Sequence, residues 1–193
     1  MNAKQSKTFQ LVFSALMIAI GTVLSLFEFQ GFWVYGGGVT FCSMLPLVIV
    51  SYRYGWKWGV FTSFVYGLVQ MVLGFHNVMY GPNWYTMLAI ALLDYLVAYA
   101  VIGFSSVFKG HIKNDSLALA LGVVLGMVLR FLCHFASGWV IWEALWPNEL
   151  GMTSAVYSLV YNGSYMLPEA IITCAAAVIL NRFLHFGSLG RRG

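Results

Sequence analysis

The sequence predicts an all-α integral membrane protein, a bundle of six transmembrane helices with both termini in the cytoplasm. Of its residues, 61% are hydrophobic and only 8% are charged, whereas about a quarter of a soluble domain is charged. The apolar residues are also gathered into stretches of membrane-spanning length, separated by breaks that contain Gly, Pro, Asn or charge. A chain of this size, residues 1–193, suits a single membrane domain.

The predicted helices follow the apolar stretches in order, since a membrane helix needs about 20 residues at a rise of about 1.5 Å each. The first resembles a signal peptide, but its apolar run is long for an h-region and no A-x-A site follows. The second is short and carries Pro46, so we expect it to be tilted, broken or partly re-entrant. The fifth is expected to project beyond the bilayer. The predicted bounds are 9–28, 38–52, 56–76, 85–108, 116–144 and 153–183.

The basic residues predict the orientation of this bundle. The loops at 29–37, 77–84 and 145–152 contain no Lys or Arg, whereas both chain ends and the two intervening turns do. Basic loops remain on the cytoplasmic side, so this alternation places both termini inside. The net charge of +4 follows from this topology, and we expect no nucleic-acid partner.

The sequence carries none of the common signatures of an enzyme or a metal protein. Cys42, Cys133 and Cys174 lie in apolar stretches without CxxC spacing, so we interpret them as buried hydrophobic residues. There is no GxxxxGK[ST] motif for ATP, no HExxH motif and no nucleophile elbow. We therefore expect no catalysis, no cofactor and no metal site.

Polar residues from three predicted helices share one depth in the outer half of the bundle. Counted from the outer helix ends at about 1.5 Å per residue, Asp94 and Asn162 lie about 13 Å deep and His134 about 15 Å deep. Their convergence predicts a pocket, and the carboxylate favours a ligand with a cationic or amino-substituted ring. Tyr157 and Trp142 lie above them and offer ring faces for stacking.

Further residues of the fifth predicted helix point to the same region. Arg130 lies deeper, and a guanidinium in hydrocarbon is too costly to be incidental. Gly138 allows close approach to the helix backbone. In a straight helix Arg130 and Trp142 lie about 120° apart around the axis, so both can face one small pocket only if the helix bends.

Structural interpretations of the same residues remain open. Asp94 and Arg130 are as well suited to pairing with each other as to contacting a ligand. Glu169, which follows Pro168, is suited to capping backbone groups freed at a kink. Interhelical hydrogen bonds, helix packing and an interfacial aromatic belt are the corresponding alternatives for His134, Asn162, Gly138 and Trp142.

The chain resembles the thiamine-specific substrate-binding (S) components of energy-coupling-factor (ECF) vitamin transporters. The resemblance runs from the first helix to the sixth and rests on residues 93–97 (Leu-Asp-Tyr-Leu-Val), on Arg130 to Trp142, and on residues 157–163 (Tyr-Ser-Leu-Val-Tyr-Asn-Gly). It implies a six-helix protein of the prokaryotic plasma membrane that binds thiamine from the outside and catalyses nothing. The resemblance implies substrate-binding roles for Asp94 (typically Glu in the family), Tyr95, Arg130 (often Lys), His134, Gly138, Trp142, Tyr157 and Asn162.

The resemblance also implies how these positions meet thiamine. His134 and Trp142 would stack on the thiazolium, and Asp94 would complement its charge or accept a hydrogen bond from the amino group. Tyr157 and Asn162 would address the pyrimidine edge. Arg130 would orient Asp94 or meet the hydroxyethyl group, and the 29–37 loop would close over the ligand. Trp33 is the candidate for the family's first-loop tryptophan, and Trp84 or Tyr85 for the aromatic residue before the fourth helix.

Partners follow from the same resemblance. The family's AxxxA motif falls on Ala15 and Ala19, which implies docking against an EcfT-type transmembrane coupling subunit driven by two cytosolic ATPases; without the resemblance, helix packing is the commoner role of such a motif. Three alternatives stay open: an S component for another vitamin or a pyrimidine precursor, a membrane enzyme using Asp94, His134 and Arg130, and a stand-alone channel or carrier.

Overall fold

The computed structural model describes residues 6–29 and 37–186. Within them the fold is mainly helical, with a small antiparallel sheet of two strands, β1 (Glu28–Phe29) and β2 (Val39–Thr40). The helices are α1 (Lys7–Ser25), α2 (Leu45–Tyr54), α3 (Trp56–Leu73), α4 (Phe75–Val78), α5 (Trp84–Ser106), α6 (Asp115–Leu145) and α7 (Ser154–Leu184).

Four of the described helices, α1, α5, α6 and α7, are long and apolar enough to cross a membrane. Helix α2 has 10 residues and extends about 15 Å, which is half the thickness of a hydrocarbon core. Helix α3 has 18 residues but carries Lys57 and Gln70. The chain is thus a helical protein with several membrane-spanning segments, and the count of six crossings stays a prediction.

The start of the second predicted helix is wrong. Instead of a helix from 38, β2 pairs with β1, with Glu28 opposite Thr40 and Phe29 opposite Val39. Helix α2 begins at Leu45 with Pro46 in its first turn, where the missing N–H of proline costs no hydrogen bond. Pro46 therefore starts this helix instead of breaking it. The bounds of the other five helices agree to within three residues; the first, for example, ends at residue 25 instead of 28.

Helices α5 and α6 each contain a wide π-helical turn. It spans Ala91–Leu96 in α5 and Gly138–Trp142 in α6, so each includes residues predicted to face the pocket. A π turn shifts the residues on either side of it around the helix axis, and such turns are frequent at functional sites. Both helices thereby lose the constant angular spacing of a straight α-helix.

Polar side chains join several loops at one end of the bundle, which we call the basic end. The hydroxyl of Tyr52 donates to Asp115 Oδ1, and the other carboxylate oxygen accepts a hydrogen bond from Asn181 Nδ2 at 2.9 Å. Lys109 Nζ donates to the carbonyl of Tyr52. These contacts connect the end of α2, the loop between α5 and α6, the start of α6 and the end of α7.

The helices approach each other closely near the basic end because glycines line their contacts. A Cβ on Gly122 of α6 would lie 1.9 Å from the carbonyl oxygen of Ser105, and one on Gly103 of α5 would lie 2.1 Å from the backbone nitrogen of Val60. Any side chain at either position would collide with backbone. The main apolar core lies here, with Leu47, Leu119 and Val123 among its fully buried members.

Candidate ligand-binding site

A cavity of about 740 Å³ opens at the other end of the bundle, which we call the cavity end. Its wall is formed by residues of β1 and β2 and by residues of the helices α3 to α7. Its volume lies in the range of small-molecule sites, about 300–1,000 Å³. The bundle is therefore hollow at one end and closely packed at the other.

Most of the predicted site residues line this cavity. Trp84 does not: it begins α5, is 74% exposed and packs edge-on against Tyr85 with ring centroids 5.9 Å apart. Its place in the predicted site is wrong because the start of α5 points it away from the bundle. Trp33 lies outside the described residues. The residues that do line the cavity are Asp94, Tyr95, Arg130, His134, Gly138, Trp142, Tyr157 and Asn162.

Asp94 fixes two aromatic rings of the wall. Its Oδ2 accepts hydrogen bonds from Ser137 Oγ and from the Trp142 indole N–H, both at 2.8 Å. Its Oδ1 lies 3.5 Å from His134 Nδ1. The carboxylate is therefore largely occupied by the protein, and it orients the imidazole and the indole that face the cavity.

Arg130 pairs with Glu169 and not with Asp94. The distance from Arg130 Nη1 to Glu169 Oε2 is 3.1 Å, and the two side chains are 7% and 1% exposed. Thr40 Oγ1 donates to the other oxygen of Glu169 at 2.5 Å, and the guanidinium lies 5.0 Å above the ring of Tyr99. Of the two interpretations of Asp94 and Arg130, the one in which they pair with each other is wrong. The interpretation of Glu169 as a cap of backbone groups is also wrong, because its carboxylate accepts from Thr40 and Arg130.

Gly138 is required for contact between α6 and α7. A Cβ at this position would lie 2.4 Å from Ser158 Oγ and 2.9 Å from Asn162 Nδ2. Asn162 Nδ2 donates to the carbonyls of Ser158 at 3.0 Å and His134 at 3.3 Å, while its Oδ1 accepts from the Tyr165 hydroxyl at 2.7 Å. Of the two interpretations of Gly138, close helix packing is the one that the structure supports.

Tyr95 is similarly engaged by the protein. Its hydroxyl donates to the carbonyl of Gly74 and accepts from Asn77 Nδ2, both at 3.0 Å. This joins α5 to the segment between α3 and α4. Tyr95 thus shapes the wall of the cavity, and its hydroxyl is engaged by the protein both as donor and as acceptor.

Three polar atoms of the wall residues remain without a partner among the described residues: Arg130 Nε, His134 Nε2 and Glu143 Oε2. All three are buried, and burying a polar atom without a hydrogen bond costs about 1–3 kcal/mol. These atoms are the unsatisfied hydrogen-bonding groups of the wall residues. The sequence analysis missed Glu143 because an acidic residue at the end of a predicted membrane helix cannot be distinguished from an exposed one by its position alone.

The charges of the wall favour a cation. In the described part of the chain the wall contains the carboxylates of Glu28, Asp94 and Glu143 and one guanidinium, that of Arg130. Since Glu169 neutralises Arg130, the carboxylates dominate the field inside the cavity. Low-dielectric walls strengthen such a field.

A corner of aromatic rings completes the mouth of the cavity. Trp142 and Trp146 are stacked with centroids 5.5 Å apart and 12° between their planes, and Tyr80 meets Trp146 edge-on at 4.9 Å. All three line the cavity. Tyr80 and Trp146 were missed from the sequence because interfacial tryptophan and tyrosine are common in any membrane protein.

Comparison with known proteins gives consistent results. The model of the thiamine transporter protein family, Thia_YuaJ, matches residues 11–186. The chain is 32% identical over 181 residues to the thiamine transporter ThiT of Bacillus subtilis (strain 168), covering 89% of this chain and 88% of that one. It is 25% identical over 147 residues to the ThiT of Lacticaseibacillus paracasei, covering 71% and 70%.

A solved structure shares the fold. The structure of ThiT from Listeria monocytogenes superimposes with a TM-score of 0.73 at 21% identity, covering 92% of this chain and 95% of that one. At this identity the match concerns the arrangement of the helices.

Proposed function

Because the chain belongs to the thiamine transporter family Thia_YuaJ, we propose that it is the substrate-binding S component of an ECF importer and captures thiamine at the outer face of the membrane. The observation that carries this proposal is the cavity with a carboxylate-rich wall, lined by His134 and Trp142. Thiamine has a permanently cationic thiazolium and a flat, hydrogen-bonding aminopyrimidine, which match a negative wall with aromatic faces.

In this proposal the thiazolium stacks between the imidazole of His134 and the indole of Trp142. Asp94 accepts a hydrogen bond of 2.8 Å from the indole of Trp142 and lies 3.5 Å from His134 Nδ1, and Ser137 donates to the same carboxylate. Both rings are therefore in place before the ligand arrives. Such preorganisation lowers the entropic cost of binding. Asp94 also supplies negative charge next to the cationic ring.

The remaining wall residues receive more indirect roles. Tyr157 lies in the wall and is assigned to the pyrimidine. Asn162 holds Tyr165 and the α6–α7 contact through its hydrogen bonds, which makes it a positioning residue. Arg130, neutralised by Glu169, forms the floor of the cavity and meets the hydroxyl end of the ligand.

Helix α1 supports the proposed partner. Ala15 and Ala19 are exposed, and the buried residues of α1 are Ser14 and Gly21. The AxxxA face is thus open and does not pack inside the described bundle. We assign it to the EcfT-type coupling subunit, with two cytosolic ATPases as the source of energy and with the basic end and both termini in the cytoplasm of a prokaryotic cell.

The enzyme alternative has less support than the proposed function. The family is one of transporters, and Arg130, one of the three residues of the enzyme alternative, is held in an ion pair. Titration with different vitamins distinguishes thiamine from another vitamin as the ligand.

The test is titration of the purified protein with thiamine, followed by tryptophan fluorescence. We expect saturable quenching with thiamine and none with riboflavin; the reverse selectivity, or no saturation, would refute the proposal.

In vesicles that also contain the coupling subunit and ATPases, Ala15→Trp should abolish uptake and leave thiamine binding unchanged. Loss of both would assign Ala15 to packing, and uptake by the chain alone would favour a stand-alone carrier.

A further inference from the structure

Glu143 is a second acid of the cavity, and it is held differently from Asp94. It lies at the end of α6, contributes to the wall and is 8% exposed. One carboxylate oxygen, Oε1, accepts hydrogen bonds from the backbone N–H of Asn148 at 2.9 Å and from its side-chain Nδ2. Asn148 is itself fixed, since its Oδ1 accepts from the N–H groups of Leu150 and Met152 at 3.2 Å.

The other oxygen of Glu143 is buried and has no hydrogen-bond partner among the described residues. In Asp94, by contrast, Oδ2 accepts two hydrogen bonds and Oδ1 lies near His134. The protein thus provides partners for both oxygens of Asp94, the acid predicted from the sequence, but for only one oxygen of Glu143. Glu143 is thus a rigidly held carboxylate of the cavity wall with one unsatisfied oxygen, and its negative charge favours a ligand that brings a positive charge or an N–H donor close to it.

The surroundings of Glu143 strengthen its effect. Trp142 precedes it in the chain and stacks on Trp146, and Tyr80 packs edge-on against both indoles. Glu143 is buried beside these rings, and a charge in a region of low polarisability acts more strongly on its neighbours than one in water. A flat cation at this position meets both ring faces and a carboxylate.

From these contacts we infer that Glu143 is a specificity-determining residue of the cavity, which selects a cationic ligand without a phosphate group over its phosphorylated forms. A phosphate brought into the cavity faces the carboxylates of Glu28, Asp94 and Glu143, and like charges brought together at a binding site cost several kcal/mol. The guanidinium of Arg130 forms an ion pair with Glu169, and this pair has no net charge to offset the three carboxylates. This inference rests on the proposed binding of thiamine.

The experiment measures the dissociation constants of thiamine and of thiamine monophosphate for the purified wild type and for Glu143→Gln. The amide keeps the size of the side chain and the contact with Asn148 but removes the charge. We expect thiamine to bind about tenfold more weakly to the variant and the ratio of the two constants to fall about tenfold toward equality. Glu149→Gln is the matched control, since it removes an exposed acid from the same loop and should change neither value.

A structural role for Glu143 would weaken both ligands by the same factor, so an unchanged ratio in Glu143→Gln would overturn the inference. If that variant does not fold, Glu143→Asp carries the test: it withdraws the charge by one methylene, so thiamine should bind more weakly and the ratio should fall by a smaller factor than in Glu143→Gln. An unchanged ratio in Glu143→Asp would then overturn the inference. If the wild-type protein binds no thiamine, both this inference and the proposed function are refuted. If thiamine binds and its affinity does not depend on Glu143, this inference alone is refuted.

Discussion

The two ends of the bundle are built from the same long helices but hold their acidic side chains in different ways. At the basic end, Asp115 receives hydrogen bonds on both oxygens, from Tyr52 and Asn181. At the cavity end, His134 Nε2 and Glu143 Oε2 are buried without a described partner. Polar groups of the first kind hold the fold together, whereas those of the second kind are costly until a ligand meets them.

The helix geometry differs in the same way. Glycines bring α5 into backbone contact with α3 and α6 near the basic end, whereas the cavity end contains the π turns Ala91–Leu96 and Gly138–Trp142. Close packing maximises dispersion contacts and resists substitution. The difference teaches that stability and binding are separated along these helices, so that mutations at the two ends should give different phenotypes.

The largest expected effect comes from the boundary between the two ends. Glu169→Gln leaves the guanidinium of Arg130 buried without a countercharge, which should lower the free energy of unfolding by about 4 kcal/mol and weaken thiamine binding as well. Thermal unfolding in detergent, together with thiamine titration, measures both effects. The double variant Arg130→Gln/Glu169→Gln should be more stable than Glu169→Gln alone; equal stability would show that the ion pair is unimportant for the fold.

The next effect tests the basic end by itself. Gly122→Ala places a methyl group against the carbonyl of Ser105, and relieving this overlap by moving backbone should cost about 3 kcal/mol. Protein that remains folded should still bind thiamine with near wild-type affinity. Gly163→Ala is the control, since its Cβ would meet its nearest neighbour, the ring of Phe131, at 3.9 Å. Equal unfolding temperatures for the two variants would contradict the close packing described for α5 and α6.

The smallest effect on stability, and a large one on binding, is expected at the cavity end. Asp94→Asn removes the charge that holds His134 and Trp142, so thiamine should bind about 100-fold more weakly, equivalent to about 2.7 kcal/mol. Its unfolding temperature should stay close to that of the wild type. A change of less than twofold in the dissociation constant would remove Asp94 from the site and with it the separation of roles proposed for the two ends.

Much of the fold and of the site followed from the sequence, because hydropathy and helix rise report length and depth. The bounds of five helices agree to within three residues, and the depth count brought Asp94, His134 and Asn162 to one cavity. Depth, however, leaves the direction of a side chain around its helix axis undetermined. That is why Asp94 was given Arg130 as a possible partner, whereas it contacts His134 and Trp142.

The π turns account for part of this difference. A straight α6 would place Arg130 and Trp142 about 120° apart, yet both line the cavity, and the π turn lies between them in sequence at Gly138–Trp142. No local signal in the sequence marks a π turn, because its stability depends on the helices packed around it. The late start of α2 had a visible signal in Pro46, which was interpreted as a break and not as a first-turn residue.

The stacked pair of Trp142 and Trp146 gives the molecule a property of its own. Two indoles with centroids 5.5 Å apart and nearly parallel planes share their electronic excitations, and one of them is held by Asp94. The protein thus carries an exciton-coupled chromophore at the mouth of its cavity, whose circular dichroism in the ultraviolet depends on the angle between the two rings. A ligand that tilts either ring changes this spectrum, so occupancy of the cavity can be followed optically in unlabelled protein.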